Sequence, residues 1–335
     1  MAAKVAKQVG TPNAIQALLR TRMKRALLLA VASTTGFFPL MTSTAAVGQD
    51  KVSPGPDKTH RQVQITYVGS TEGWAAVPFE RYRNEIFFKA TINGVEANVL
   101  LDNGTGSSEL DTGFAVRAGL RPEGPNRGVD TGSARVPERL VKNVEMAIPH
   151  HLTASGTFMT SDLAPLAKIM GHPIDAVLGG DVLNTMAVGV ITSTRSLYLM
   201  PSGKVTPNAG IAVPLINGTQ VEAEVNGKPV RLYVDLGSNG IVNLSDDAWQ
   251  RVIPSTSPVV KSQFTNGEGV IRTSLRSSDN TLKLGAATST GIDIVNRGRD
   301  PRGSDGLLGG GYLGHFDVVL DVQAKKLFLI PIASR

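Results

Sequence analysis

No cysteine occurs anywhere in the 335 residues, which excludes disulfides, thiol catalysis, cysteine-ligated metals and lipid attachment through a cysteine. The folded chain must therefore be held by its own core. Aromatic residues are scarce, at 5%, so recognition of nucleic acid by base stacking is not favoured. The five histidines, His150-His151 among them, show no HExxH spacing; they read as surface or loop residues, and neither a metal nor a cofactor is expected. No Ser-centred GxSxG is present, which removes the nucleophile-elbow hydrolases. Acids are missing from the first 45 residues, where Lys4, Lys7, Arg20, Arg22, Lys24 and Arg25 stand alone. Beyond them 28 basic residues balance 28 acidic ones, so the net charge of +6 belongs to the leader and points to no acidic partner.

From Met23 the leader reads MKRALLLAVASTTGFFPLMTSTAA. A short basic stretch, an apolar run and a small-residue region are the pattern of a secretory signal, expected to end near Ala45 or Ala46, with Met23 an alternative start. Ser33, Thr34, Thr35, Gly36 and Pro39 interrupt the run, leaving it short of the ~20 apolar residues of a membrane span. Residues 1–45 are thus read as a signal peptide and 46–76, punctuated by Pro54, Gly55 and Pro56, as a loose N-terminal extension. A periplasmic or secreted bacterial protein is implied, with no stable membrane span after cleavage. Hydrophobic residues at 41% and charged residues at 19% place the remainder among globular chains, long enough for two lobes.

What the chain does contain is an internal repeat. NGVEANVLLDNG (93–104) returns as NGKPVRLYVDLG (226–237) at identical internal spacing. VLGGDVL follows the first copy and LLGGGYL the second, placing Gly179 and Gly309 at similar distances beyond Asp102 and Asp235. Residues 174–201 then align on 304–331 without a gap. In both copies Asn-Gly joins two apolar, β-branched runs (86–92 with 95–101, 220–225 with 228–234), the strongest short-range hairpin signal. Short helices are predicted over 112–120 and 246–252, the second capped by Ser245. The fold class is all-β, with one lobe over 77–203, another over 204–335, and a linker rich in Gly, Pro and Asn at 202–212.

Two carboxylates at equivalent repeat positions can perform general acid/base chemistry that neither performs alone. These residues resemble the pepsin-like and retropepsin-like aspartic proteases, in a bacterial form with two lobes in one chain. The resemblance covers about residues 77–332. It implies two similar β-barrel lobes related by a pseudo-twofold axis, with a cleft between them for an extended peptide or protein substrate, and a dyad that one chain completes without dimerising. Asp102 and Asp235 match the catalytic aspartates. Asn103, Gly104, Leu236, Gly237 and Ser238 match the loops that support them, and Val177-Leu178-Gly179 and Leu307-Leu308-Gly309 match the apolar-apolar-Gly elements that cross beside those loops. Two carboxyls ~3 Å apart share a proton, one activating a water and the other polarising the peptide carbonyl. Glycine is expected because backbone must come close to an anion.

The family's middle residue is Thr or Ser, whose hydroxyl braces the opposing loop. Here it is Asn103, whose amide can still donate a hydrogen bond, and Leu236, which cannot. An exported aspartic endopeptidase is the leading reading; the alternative is an attenuated or inactive protease-like module that binds a peptide or protein partner. Segments 128–140 and 264–275, with Gly132, Gly267 and Gly269, are candidate substrate-covering flaps. The string Asp111-Thr112-Gly113 spells the family motif but is read as a helix start capped by Asp111. GGGYLG (309–314) satisfies a dinucleotide fingerprint as a string only, because no βαβ unit can fit after it.

Overall fold

The computed structural model describes residues 63–68, 75–130, 135–265, 271–298 and 303–332. The first repeat contains β1 (Gln64–Tyr67), β2 (Val77–Tyr82), β3 (Glu85–Ile92), β4 (Val95–Leu101), β5 (Glu109–Asp111), α1 (Thr112–Arg117), β6 (Pro122–Asp130) and β7 (Arg135–Ile148). It continues through β8 (Leu152–Ser161), α2 (Ala164–Met170), β9 (Ala176–Leu178), α3 (Gly180–Leu183), β10 (Met186–Ile191) and β11 (Ser196–Pro201). The second repeat opens with β12 (Ile211–Pro214), β13 (Gln220–Val225), β14 (Lys228–Asp235), β15 (Val242–Leu244), α4 (Asp246–Val252) and β16 (Val259–Thr265). It closes with β17 (Ile271–Leu284), β18 (Ala287–Asn296), β19 (Gly306–Gly309), α5 (Gly310–Leu313), β20 (Phe316–Asp321) and β21 (Lys326–Pro331).

Both repeats fold the same way because both carry the same local instructions. Asn93-Gly94 and Asn226-Gly227 all take positive φ (48° and 79°, 51° and 74°), the backbone a two-residue hairpin demands. Ile92 therefore pairs with Val95, and Val225 with Lys228. Strands β3-β4-β9-β5-β8-β7 form a sheet that closes through β3–β7, and β13-β14-β19-β15-β18-β17 closes through β13–β17. The result is two six-stranded barrels; β6 extends the first beyond β7 and β16 the second beyond β17, and β1 also pairs with β8 of the first. Closure leaves the barrel strands without a free edge. The chain is all-β and two-lobed, as the sequence predicts.

A third sheet joins the lobes, in the order β12-β21-β20-β10-β11-β2. At its centre β10 and β20 run antiparallel, with Gly189 opposite Val319. These two residues are themselves repeat equivalents, 130 positions apart, so the pseudo-twofold axis passes through their pair. Every residue of β10 is buried, the pattern of a strand covered on both faces. One apolar cluster runs continuously from Phe88, Leu101 and Leu178 in the first lobe through Val188 and Leu320 to Val234 and Leu308 in the second.

Three features depart from the repeat or from its sequence reading. Residues Gln64–Tyr67 lie within the stretch expected to be loose, yet they pair antiparallel with β8 from Gln64–Ser155 to Tyr67–Leu152. Helix α2, without a counterpart among the described residues of the second lobe, covers a small second cluster of Phe87, Leu100, Leu163, Met170, Ile174 and Val177. His151 is fully buried rather than at the surface; its Nδ1 lies 3.1 Å from the carbonyl oxygen of Pro149, and burial holds its pKa below the usual histidine value. Among the described residues no helix is long and apolar enough to cross a membrane. The expected signal peptide lies outside the described residues.

Candidate functional site

Strands β4 and β14 each run to an aspartate that sits just where the chain leaves the barrel. Their course is fixed by parallel pairing with β9 and β19: Leu101 lies beside Leu178, and Val234 beside Leu308. The Asp102 N–H donates to the Leu178 carbonyl at 3.1 Å, and Asp235 is in register with Gly309. Each carboxylate is then held by the turn that follows it. Asp102 Oδ1 accepts from the N–H of Gly104 (2.8 Å) and of Thr105 (3.3 Å), and Asp235 Oδ1 accepts from the N–H of Gly237 (3.0 Å).

The two glycines also carry the contact between lobes. A Cβ built on Gly104 would lie 2.5 Å from Oδ2 and 2.6 Å from Oδ1 of Asp235, and one on Gly237 would overlap the carboxyl of Asp102. Each carboxyl is thus held by its own loop and covered by the Cα of the other loop. Asp235 is 5% exposed and Asp102 half-buried. In the structure Asp102, Asp235, Gly104 and Gly237 lie at one place.

Between them lies Asn103, 1% exposed. Its Nδ2 donates to the Val234 carbonyl and its Oδ1 accepts from the Leu236 N–H, both at 2.8 Å. One amide therefore grips the opposite loop on either side of Asp235. Tyr233, in β14, returns a bond from its hydroxyl to the Asn103 carbonyl at 3.2 Å. Asn103 supplies an acceptor as well as the donor read from the sequence. Leu236, at the equivalent position, is 2% exposed and joins the central apolar cluster.

The crossing elements explain their own glycines. Gly180 N–H donates to Thr105 O (2.8 Å), and Gly310 N–H donates to Ser238 O (2.6 Å), an equivalent pair. A Cβ on Gly179 would come within 2.5 Å of the Ser107 backbone, and one on Gly309 within 2.5 Å of Gly240 O. Ser238 Oγ accepts from Asn243 Nδ2 at 3.3 Å. In the first lobe alone an acid secures the crossing: Asp181 Oδ1 accepts from Ser108 N–H (2.8 Å) and Oγ–H (2.7 Å), while Gly179 N–H donates to Ser108 Oγ (3.0 Å). Burial raises the Asp181 pKa, and its bonds to Ser108 oppose the rise.

The remaining sequence signals resolve as structure. Asp111 caps α1, accepting from Phe114 N–H at 2.8 Å, so its Asp-Thr-Gly string is a helix start. GGGYLG forms the end of β19 and α5 and packs on the loop after Asp235. Gly132, Gly267 and Gly269 lie outside the described residues; the strands leading towards them pair as the hairpins β6–β7 and β16–β17.

The sequence model of the aspartyl protease family matches the chain twice, over residues 88–182 and 221–312, together more than half its length. The chain belongs to the aspartyl protease family. Each match contains one aspartate loop and its crossing glycine, the elements that meet in the fold of this aspartyl protease relative. No curated protein matches the chain.

The sequence reading missed Glu85. It opens β3 after the Arg83-Asn84 turn, is 8% exposed, and its buried Oε2 has no hydrogen-bond partner. Burial, then the charges of Asp102 and Asp235, push its carboxyl up to about 8, against a small opposing effect of Arg83. Its signal in the sequence is an acid heading the apolar run Ile86-Phe87-Phe88, since such a run marks a strand buried on both faces.

Proposed function

We propose that the protein is an exported aspartic endopeptidase in which Asp102 and Asp235 form the catalytic pair. The reading is carried by the reciprocal approach of Gly104 to the Asp235 carboxyl and of Gly237 to that of Asp102, which joins one carboxyl from each lobe in a single centre. The charged member takes a proton from a water held between the pair, and the protonated member hydrogen-bonds the peptide carbonyl. Water oxygen bonds to the carbonyl carbon, the C–N bond breaks, and the leaving nitrogen takes up a proton. No covalent intermediate forms. Gly104, Gly237 and Thr105 hold the carboxyls, and Asn103 fixes one loop against the other.

The substrate is an extended peptide or protein segment laid between the lobes, and one copy of the chain supplies both carboxyls. Hairpins β6–β7 and β16–β17, equivalent in the two repeats, are the candidates to cover it. Export rests on the leader sequence from Met23. A second reading, a peptide-binding module without hydrolysis, is favoured by Leu236, which offers no hydroxyl to the opposing loop. Digestion of a diverse peptide mixture across pH 3–8 by protein lacking the leader, read by mass spectrometry beside Asp235→Asn, separates the two. Cleavage by the unmodified protein alone supports the peptidase; a folded sample that retains peptides without cutting them at any pH supports the binding module.

A further inference from the structure

The turn Arg83-Asn84 reaches across to the second lobe. Asn84 Nδ2 donates to Asn239 O at 3.0 Å, and its carbonyl lies against Gly310, where a Cβ would overlap it. Asn239 directly follows Ser238 of the Asp235 loop, and Gly310 packs on that loop through Ser238. Arg81, in the same hairpin, donates from Nη1 to Asn84 O (3.3 Å) and Gly310 O (3.5 Å), and from Nη2 to Thr192 Oγ1 (3.0 Å). Glu85 follows this turn directly and, in the β3–β4 register that pairs Phe87 with Leu100, stands level with Asp102; its burial and its partnerless Oε2 are already noted. The charged groups acting on it are Asp102 from the end of β4, Asp235 from the end of β14, and Arg83 from the turn. Its repeat equivalent is Gly218, 133 positions on, so the feature is one-sided: the centre gains one extra carboxyl, not two.

We propose that Glu85 is a third carboxyl of the centre, a positioning residue that carries a proton beside the aspartate pair and so confines the negative charge to Asp102 and Asp235. This rests on the reading of those two as the reacting pair. A buried carboxyl with an unsatisfied oxygen is costly to ionise, and two neighbouring acids add repulsion to that cost. The value near 8 agrees with this arrangement. A proton on Glu85 keeps that carboxyl neutral beside the pair, whereas its loss would add a negative charge there.

The test is a carbon-13 titration of the full chain with glutamate labelled at its side-chain carboxyl, the Glu85 signal being assigned by its disappearance in Glu85→Gln. The proposal expects that signal to titrate well above the ordinary carboxylate range, and to move down in both Asp102→Asn and Asp235→Asn. Titration in the ordinary range, or a midpoint unmoved by both aspartate variants, overturns it. Neither outcome depends on hydrolysis, so a failure here is distinct from a failure of the peptidase reading. Where hydrolysis is measurable, the rate of the unmodified protein is expected to fall as Glu85 ionises. Glu85→Gln, which mimics the protonated acid, should keep a larger fraction of its own pH 6 rate above pH 8 than the unmodified protein keeps of its own; an identical alkaline fall in both would also overturn the proposal.

Discussion

Asn103→Ala removes both ends of the bridge between the aspartate loops. The Val234 carbonyl and the Leu236 N–H, each now bonded at 2.8 Å in a site with Asn103 1% exposed, would lose their partner without gaining solvent. A buried polar group left unsatisfied costs ~1–3 kcal/mol, so with two such groups the variant should lose about 2–6 kcal/mol of unfolding free energy in urea. That is a large share of the ~5–15 kcal/mol that holds a typical domain. Asn103→Asp should also lose stability, since it keeps an acceptor for Leu236 N–H but sets a carboxylate oxygen against the Val234 carbonyl. Asn103→Thr should recover much of the loss if one hydroxyl serves both groups. Because the bridge also fixes the two loops, a shift of ~1 Å should lower kcat on the order of 100-fold with less effect on KM. Unfolding within about 0.5 kcal/mol of the unmodified protein, below even one lost bond, would refute the reasoning.

Gly237→Ala forces a methyl onto the Asp102 carboxyl and should abolish hydrolysis, whereas Gly106→Ala, in the first aspartate loop with nothing within 4 Å of the new Cβ, should change the rate less than about 3-fold in the same assay. Glu85→Gln should stabilise the protein with a definite pH dependence. Unfolded Glu85 ionises near its ordinary value of 4.5, whereas the folded carboxyl keeps its proton to about 8, so the folded state binds more protons between these limits and its stability falls as pH rises through them. The variant's advantage should grow from pH 4 to roughly 3 kcal/mol at pH 7 and level off above pH 8, measured by urea unfolding at each pH. Asp111→Ala should cost about 1 kcal/mol through the lost cap of α1 and leave hydrolysis unchanged, which checks that its Asp-Thr-Gly string has no chemical role.

The parts of the fold that were legible are those written locally and twice. Asn93-Gly94 and Asn226-Gly227 fixed their hairpins because positive φ at both residues leaves few alternatives, and Ser245 marked the start of α4. Asp102 and Asp235 could be found because an apolar strand, an acid and a glycine recur in step. The docking between repeats was not legible in that way. An offset of 130 makes Gly189 and Val319 equivalent, but nothing local says that they pair with each other. Asn103 was read as a lone donor because its acceptor role depends on a backbone N–H more than 130 residues away. Glu85 stayed hidden for the same reason: the acids that act on it come from two other strands. His151 and Gln64–Tyr67 show the converse, polar or Pro-flanked sequence drawn into the structure by β8. Helix α2 has no repeat counterpart among the described residues, so the internal comparison gave no guide to it.

The central claim is that two lobes contribute one reacting centre. Its most direct test is the hydrolysis rate of one cleaved peptide by the unmodified protein, Asp102→Asn, Asp235→Asn and the double variant, with all four shown to be folded. Residues that act as a unit are strongly non-additive. Each single variant is expected to lose at least about 1000-fold, and the double variant no more than either single one. A single variant that keeps most of its activity, or losses that simply multiply in the double variant, would contradict the account.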